Sequence, residues 1–300
     1  MVSNIKNRHD MNKVIKLLLF AVVSHSLSSC SKDDPSNTPH PDEGAVVVTT
    51  DWNARSSDAV LPDNYILRIG AQEQTVSGVT NAFHALFLPG EQELLVYHQA
   101  EGITISGNTA TVNTLSDGML EPLPGYLFSA SRKLEIVKDD TLKVTIPMQQ
   151  YIRRLALSLQ LKPDDEQRIA HTAATLTGIA STIDLTTGAI TSTEGKTVIP
   201  TFTLQTDGSG TRAAGQSQLK TALRLLGVVI AERQILTIDV TLHDGSVQAI
   251  TTDLTDMLKN FGSDMEPLEL DATLELPTAA GMSATITGWN VIDNGEVGIH

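Results

Sequence analysis

The chain contains one cysteine among its 300 residues, and aromatic residues make up only 4% of it. With Cys30 alone, the chain has no intramolecular disulfide and no thiolate metal site. The low aromatic content predicts hydrophobic cores of Leu, Ile, Val and Ala. It also argues against a sugar-binding surface of exposed aromatic rings. The apolar run 14–23 falls short of the roughly 20 residues that a membrane-spanning helix needs.

Sequence motifs for common catalytic and metal chemistry are also missing. The histidines do not occur in HExxH or another metal-ligand spacing, and there is no GxSxG, P-loop or GxGxxG motif. The acidic pairs Asp139-Asp140 and Asp164-Asp165 are typical of solvated turns, although sequence alone cannot reveal a glycosidase-type pair of carboxylates. We therefore predict no catalytic residue, no cofactor and no metal site.

The formal net charge is −14 at pH 7. Residues 1–29 carry four basic side chains and one acidic one, a net +3, so the remaining chain carries −17. Such a surface repels phosphate backbones, and we do not expect a nucleic-acid partner.

Residues 1–29 have the layout of a lipoprotein signal peptide. Lysines precede the apolar run 14–23, and small residues lead to Cys30. Met11 is an alternative start that places the lysines closer to the apolar run. The sequence Leu27-Ser28-Ser29-Cys30 resembles a bacterial lipobox, which implies cleavage before Cys30 and lipid on its sulfur. Two or three acyl chains would hold a protein on a membrane almost permanently.

The segment 30–43 predicts a lipidated, disordered tether, because it is rich in Pro, Ser, Asn and Asp. Its first residues, Ser31, Lys32, Asp33 and Asp34, resemble the surface-export signal of Bacteroidetes lipoproteins. An ordinary solvated tether is the alternative interpretation.

The rest of the chain predicts an all-β protein. Segments of strand length recur about every ten residues between turn signals, which favours β-sandwiches. Residues 153–161 place four leucines at a spacing of two, as a strand does and a helix does not. We divide the chain into an N-terminal β-sandwich domain, 44–140, and a C-terminal one, 141–300. One short helix is predicted around 254–261, capped by Thr252 or Asp253 and ended by Gly262 in the left-handed conformation.

Several of these segments together resemble the FimB-type fimbrial anchor subunits of Bacteroidales. They include the lipobox with its acidic tail, a first strand ending in Asp51-Trp52, the run TLKVTIPMQQYIRRLALSLQL at 141–161, and ATLTGIASTIDLTTG at 174–188. A closing Gly288-Trp289 strand also fits the pattern. The Tyr97-His98 pair departs from it, because the family often has Tyr-Asn there.

The resemblance implies two transthyretin-like or Ig-like β-sandwiches in tandem. It implies a non-enzymatic outer-membrane lipoprotein, exposed at the cell surface, that anchors a fimbrium and joins pilin subunits by β-strand complementation. Proteolysis at an arginine removes the first strand of shaft subunits in such systems. Arg55 follows the first strand here, but we do not transfer the cleavage, because it would separate the fold from the lipid.

Two other functions remain open from sequence. A surface lipoprotein that binds glycans or host ligands would show exposed aromatic residues or a calcium cluster on loops. An envelope hydrolase would need a convergent carboxylate or Ser/His site in a cleft.

Overall fold

The computed structural model describes residues 42–205, 217–278 and 282–292. Within them the fold is mostly β, as predicted, with one short α-helix. The strands are β1 (Ala45–Asp51), β2 (Tyr65–Ile69), β3 (Gln72–Val76), β4 (Thr80–Ala82), β5 (Gly90–Tyr97), β6 (Ile103–Ser106), β7 (Thr109–Val112), β8 (Phe128–Ile136), β9 (Thr141–Pro147), β10 (Gln149–Gln150), β11 (Arg153–Leu161), β12 (Ile169–Ile179), β13 (Thr182–Asp184), β14 (Lys196–Val198), β15 (Thr203–Gln205), β16 (Gln218–Leu225), β17 (Ile235–Leu242), β18 (Val247–Asp253), β19 (Leu268–Glu275) and β20 (Thr285–Val291).

Two sheets enclose the first hydrophobic core. One has the order β4-β1-β9, and the other has the order β10-β8-β5-β2-β3. Burial alternates residue by residue along β1, whose Val46 and Val48 side chains face the core. This is the period-two pattern of a strand with one buried face. Phe83 and Phe87 pack edge to face at the same core, with ring centroids 5.1 Å apart.

Two further sheets, of five and four strands, enclose the second core. Their orders are β15-β16-β11-β19-β20 and β14-β12-β17-β18. The four leucines of β11 are buried, in agreement with the spacing of two in the sequence. A third small sheet, β13-β7-β6, brings a hairpin from before residue 140 to β13, and its Ala110 and Val112 side chains belong to the second core.

The two cores do not follow the chain in simple order. β9 lies after residue 140 but pairs with β1 in the first core. The hairpin β6-β7 lies before residue 140 but packs into the second core. The division into domains 44–140 and 141–300 stays a prediction.

The predicted helix is real but shorter than expected. Helix α1 covers Thr255–Leu258, and a 3-10 turn follows at Phe261–Ser263. Its N-cap is Leu254, without a side-chain cap bond, and not Thr252 or Asp253 as predicted. The Asp253 carboxylate does accept the backbone N–H of Thr255 at 2.9 Å. The prediction for Gly262 is wrong, because this residue continues the 3-10 turn and is not in the left-handed conformation. Burial of Phe261, 2% exposed, determines the path of the chain here.

Residues 196–205 form two short strands and not one continuous strand. Pro200 lies between β14 and β15, and its lack of an N–H prevents a continuous ladder. The short β3 was not predicted from sequence, because its residues QEQTV are mainly polar and exposed at a sheet edge.

Substitutions within β11 test which of its side chains face the core and which face outward. We expect Leu157→Ala to lower the free energy of unfolding by about 2–5 kcal/mol, because it leaves a cavity in a packed core. Ser158→Ala, on the opposite face of the same strand, is the matched control and is expected to change it by less than about 1 kcal/mol. Urea unfolding of both variants measures the difference, and equal losses would contradict the register.

Candidate assembly surfaces

The first predicted site residues lie outside the described part of the chain. These are Cys30 and the segment Ser31, Lys32, Asp33 and Asp34. Among the described residues, no group of three or more His, Cys, Asp or Glu side chains is placed to hold a metal ion. The described residues also contain no helix long and apolar enough to cross a membrane. The sheet edges and the first and last strands of the described fold are the surfaces considered as candidates for assembly.

Strand β1 is embedded in the fold. It pairs antiparallel with β4 on one side and parallel with β9 on the other, over seven register pairs from Ala45↔Thr141 to Asp51↔Pro147. Gly44 fits before it because a Cβ there would lie 2.4 Å from the Val137 carbonyl oxygen. Removing β1 would separate two strands and expose Val46 and Val48 to water, so β1 is not an easily displaced strand.

Trp52 secures the end of β1. Its ring packs edge to face against Tyr65 and Phe128, with centroid distances of 5.5 and 5.4 Å, and its indole N–H donates to Thr50 Oγ1 at 2.8 Å. Trp289 packs against the other core, so the two tryptophans do not meet.

The segment after Trp52 is bonded to the second half of the chain. Ser56 is 2% exposed, and its backbone N–H donates to Gln150 Oε1 at 2.9 Å. The next residue, Ser57, donates its N–H and its hydroxyl to the Glu266 carboxylate at 3.0 and 2.6 Å. Tyr126 donates its hydroxyl to Asp58. Burial raises the pKa of Tyr126, and the bond to Asp58 raises it further, so the phenol keeps its proton.

Arg153, at the start of β11, holds the segment that leads into β19. It is 7% exposed and donates to the carbonyl oxygens of Glu266 at 2.5 Å and Phe261 at 2.8 Å. Its guanidinium lies 5.3 Å from the centre of the Phe261 ring, and Asp264 lies 3.8 Å away. Burial lowers the pKa of Arg153, and the nearby carboxylates of Asp264 and Glu266 oppose that shift. The cation joins β11 to the turn before β19.

Strand β20 is the last strand of the described residues, and it forms an open edge. It pairs antiparallel with β19, and no other described strand pairs with its outer side. Most of its residues are exposed, including Val291 at 53%. The ladder is interrupted by a bulge between Asp271 and Thr273, where Gly288 has a φ of +71°. Unpaired backbone groups at such an edge are a template for another strand.

One hydrogen bond shows which backbone N–H and C=O groups of β20 point away from β19. The Ile292 N–H donates to the Glu269 oxygen at 2.9 Å, so these two residues form a hydrogen-bonded pair. Val291 is opposite Leu270 in the next, non-hydrogen-bonded pair. The N–H and C=O of Val291 therefore face away from β19, towards the open side. Trp289 stabilises the strand, since its indole N–H donates to Thr252 of β18 at 3.0 Å.

A polar groove of about 670 Å³ lies along the outer face of β15, β16, β11 and β19. Side chains that line it include Arg154, Ser158, Gln160, Lys220 and Asp271, and none of the described lining residues is aromatic. The groove offers hydrogen bonds to a polar ligand but no ring on which a sugar could stack.

The family model for fimbrillin-A associated anchor proteins Mfa1 and Mfa2 matches residues 45–295. The chain belongs to this family. The match begins at the first residue of β1 and extends past the end of β20, so it includes both candidate ends of the fold. No curated protein sequence matches the chain.

Solved structures share the fold at low sequence identity. A candidate adhesin from Bacteroides thetaiotaomicron has a TM-score of 0.59 and 12% identity, covering 85% of this chain and 97% of its own. The fimbrial anchor protein Mfa2 from Porphyromonas gingivalis has a TM-score of 0.56 and 9% identity, covering 83% and 97%. A candidate adhesin from Bacteroides ovatus has a TM-score of 0.53 and 15% identity, covering 84% and 95%. The resemblance of this chain to fimbrial anchor subunits is thereby confirmed.

Trypsin sensitivity tests how the segment after β1 is held. Arg55 is exposed, but the next peptide unit is fixed by the buried bond from Ser56 to Gln150. We expect Gln150→Ala to speed cleavage after Arg55 about tenfold, because losing a buried hydrogen bond costs about 1–3 kcal/mol and favours local opening. Gln149→Ala, its exposed neighbour, is the control. Mass spectrometry of timed digests identifies the cut, and equal rates for the two variants would contradict the assignment.

Proposed function

We propose that the protein is a non-enzymatic fimbrial anchor, tethered to the outer membrane through lipid on Cys30 and joined to pilin subunits by β-strand complementation. The observation that carries the proposal is the family match over 45–295, which starts just after the lipobox-like segment and its acidic tail. The family places the chain in a structural role in fimbriae at the cell surface.

The chain order supports attachment through the first strand. The segment 31–44 separates Cys30 from β1, and β1 is tied into the first core by pairing on both sides. A pull on the lipid therefore acts on a strand that the fold holds firmly. The acidic residues Asp33 and Asp34 support display on the outer surface, as the resemblance to surface-export signals implies.

The open edge of β20 supports strand complementation. An added strand would satisfy the outward N–H and C=O groups, among them those of Val291. Because β1 is paired on both sides, it offers no such free row of backbone groups. We assign the pilin contact to the β20 edge, because β20 is the last described strand of the chain and is paired on one side only.

Glycan or host-ligand binding is the alternative. It has one supporting feature, the polar groove beside Lys220 and Asp271. A solved structure from Bacteroides thetaiotaomicron described as a candidate polysaccharide-binding protein shares the fold, with a TM-score of 0.52 and 9% identity. The lack of an aromatic residue in the described lining makes the anchor function the better supported of the two.

Substitution of the cysteine tests the attachment. We expect Cys30→Ala to release the protein, together with its fimbrial partners, from the cell into the medium, because the acyl chains that hold it would be absent. Cys30→Ser serves as a second variant with the thiol removed but the size kept. Fractionation of cells and medium measures the distribution. Retention of both variants and of the fimbriae on the cells would contradict the proposal.

Blocking the open edge tests complementation. We expect Val291→Pro to abolish co-purification of heat-resistant pilin oligomers, because proline removes an outward N–H without breaking a bond to β19. Val291→Ala keeps the N–H and is the matched control. Thermal unfolding shows that both variants fold. Normal oligomer recovery with Val291→Pro would exclude this edge as the contact.

A further inference from the structure

Two pairs of strands among the described residues are parallel, and all the other strand pairs there are antiparallel; the one further parallel pairing is the isolated bridge Leu120↔Val198. One joins β1 to β9, from Ala45↔Thr141 to Asp51↔Pro147. The other joins β11 to β19, from Leu155↔Leu268 to Leu161↔Leu274. Each contains seven register pairs, and each joins segments that are far apart in sequence. Their direction matters when the chain is pulled.

The first ladder lies where tension from the tether enters the fold. Tension on Cys30 reaches β1 at its N-terminal end. It leaves β9 at the opposite end, because Pro147 continues through only five residues, 148–152, into β11. Parallel strands that are pulled from opposite ends slide along each other, and the evenly spaced bonds of the ladder are strained together. Pulling both strands from the same end would open such a ladder one bond at a time.

The second ladder repeats the arrangement. Tension arriving from β9 enters β11 at Arg153, its N-terminal end. A partner bound at β20 pulls on β19 from its C-terminal end, since Glu275 precedes the connection to β20. The strands β11 and β19 are again pulled from opposite ends.

We propose that the two parallel ladders act in series as shear clamps that resist tension between the lipid tether and the fimbrium. The direction of this tension rests on the proposed anchor function. The resistance itself is a property of the fold.

Side chains at the junction of the two cores support the clamp. Arg153 donates to the Glu266 and Phe261 oxygens at the point where β11 begins. Glu266 in turn accepts from Ser57, in the segment that follows β1. These contacts link the end of β1 to the start of β19 without passing through β9. These contacts keep the segments at the junction in place, so that a pulling force stays parallel to the strands.

Backbone direction in β9 identifies which residues carry the first clamp. The Ala45 N–H donates to the Asp140 oxygen at 2.9 Å, and the Met148 N–H donates to the Asp51 oxygen at 2.8 Å. Even-numbered residues of β9 therefore direct their backbone groups towards β1. The Thr145 oxygen confirms the alternation, since it faces away and accepts from Arg132 at 2.8 Å. Leu142 thus bonds to β1, whereas Lys143 does not.

Single-molecule pulling on the unlipidated mature chain, 30–300, tests the proposal. Cys30 is the only cysteine and provides one handle. A second handle at Met282→Cys, which is 56% exposed, lies between β19 and β20. Pulling between Cys30 and this handle applies force in the proposed direction, which we call the tether axis. A handle at Val137→Cys, 55% exposed and before β9, instead pulls β1 and β9 from the same end. We expect a several-fold higher rupture force along the tether axis. Equal forces, or a lower force along that axis, would overturn the proposal.

Proline variants identify the ladder that resists the force. We expect Leu142→Pro to lower the rupture force along the tether axis towards the value measured with the Val137→Cys handle, because it removes a backbone bond to β1. Lys143→Pro and Leu142→Ala keep the bonds to β1 and should keep most of the rupture force. Equal losses for the two proline variants would refute the assignment to β9. If Leu142→Pro fails to fold, the comparison of pulling directions still decides. None of these measurements needs lipid or pilin, so a failed clamp and a failed anchor function are separate results. Failure of the anchor function appears in the Cys30→Ala fractionation and the Val291→Pro co-purification.

Discussion

The parallel pairing of β1 with β9 is the interaction on which the rest of the structure depends. It joins the first strand of the described fold to one that follows eight others, and it places β1 in the middle of its sheet. The first core is complete only when the chain has passed Pro147 and placed Met148 in it. Such non-local pairing slows folding, because the loop must close before the contacts form. In return, the strand nearest to the lipobox-like cysteine is held on both sides.

A buried cation fixes the passage from the first core to the second. Burying Arg153 is unfavourable unless its donors are satisfied. Here two backbone oxygens, of Phe261 and Glu266, and the face of the Phe261 ring meet the guanidinium. The need to satisfy the Arg153 donors explains why the helix predicted at 254–261 ends early. The chain turns at Phe261, and this turn brings the backbone oxygens of Phe261 and Glu266 to Arg153. The local helical pattern yields to a tertiary contact.

The sequence predicted the fold class and most strands, because alternation along segments such as 153–161 reflects burial on one face of a sheet. It could not predict which strands pair. Neither the hairpin β6-β7 joining the second core nor β9 joining the first follows from local pattern, since both depend on contacts distant in sequence. Nor did any local signal identify Glu266, Gln150 or Arg153. A glutamate, a glutamine and an arginine are ordinary surface residues until the fold brings them to the segment after β1.

The two ends of the fold have opposite requirements in an anchor. In the proposed anchor, the end next to the tether must not release its strand, because a free β1 would leave Val46 and Val48 exposed and the tether attached to an opened core. The other end must accept a partner, so it needs backbone groups without an internal partner. Pairing on both sides of β1 and on one side of β20 meets both requirements.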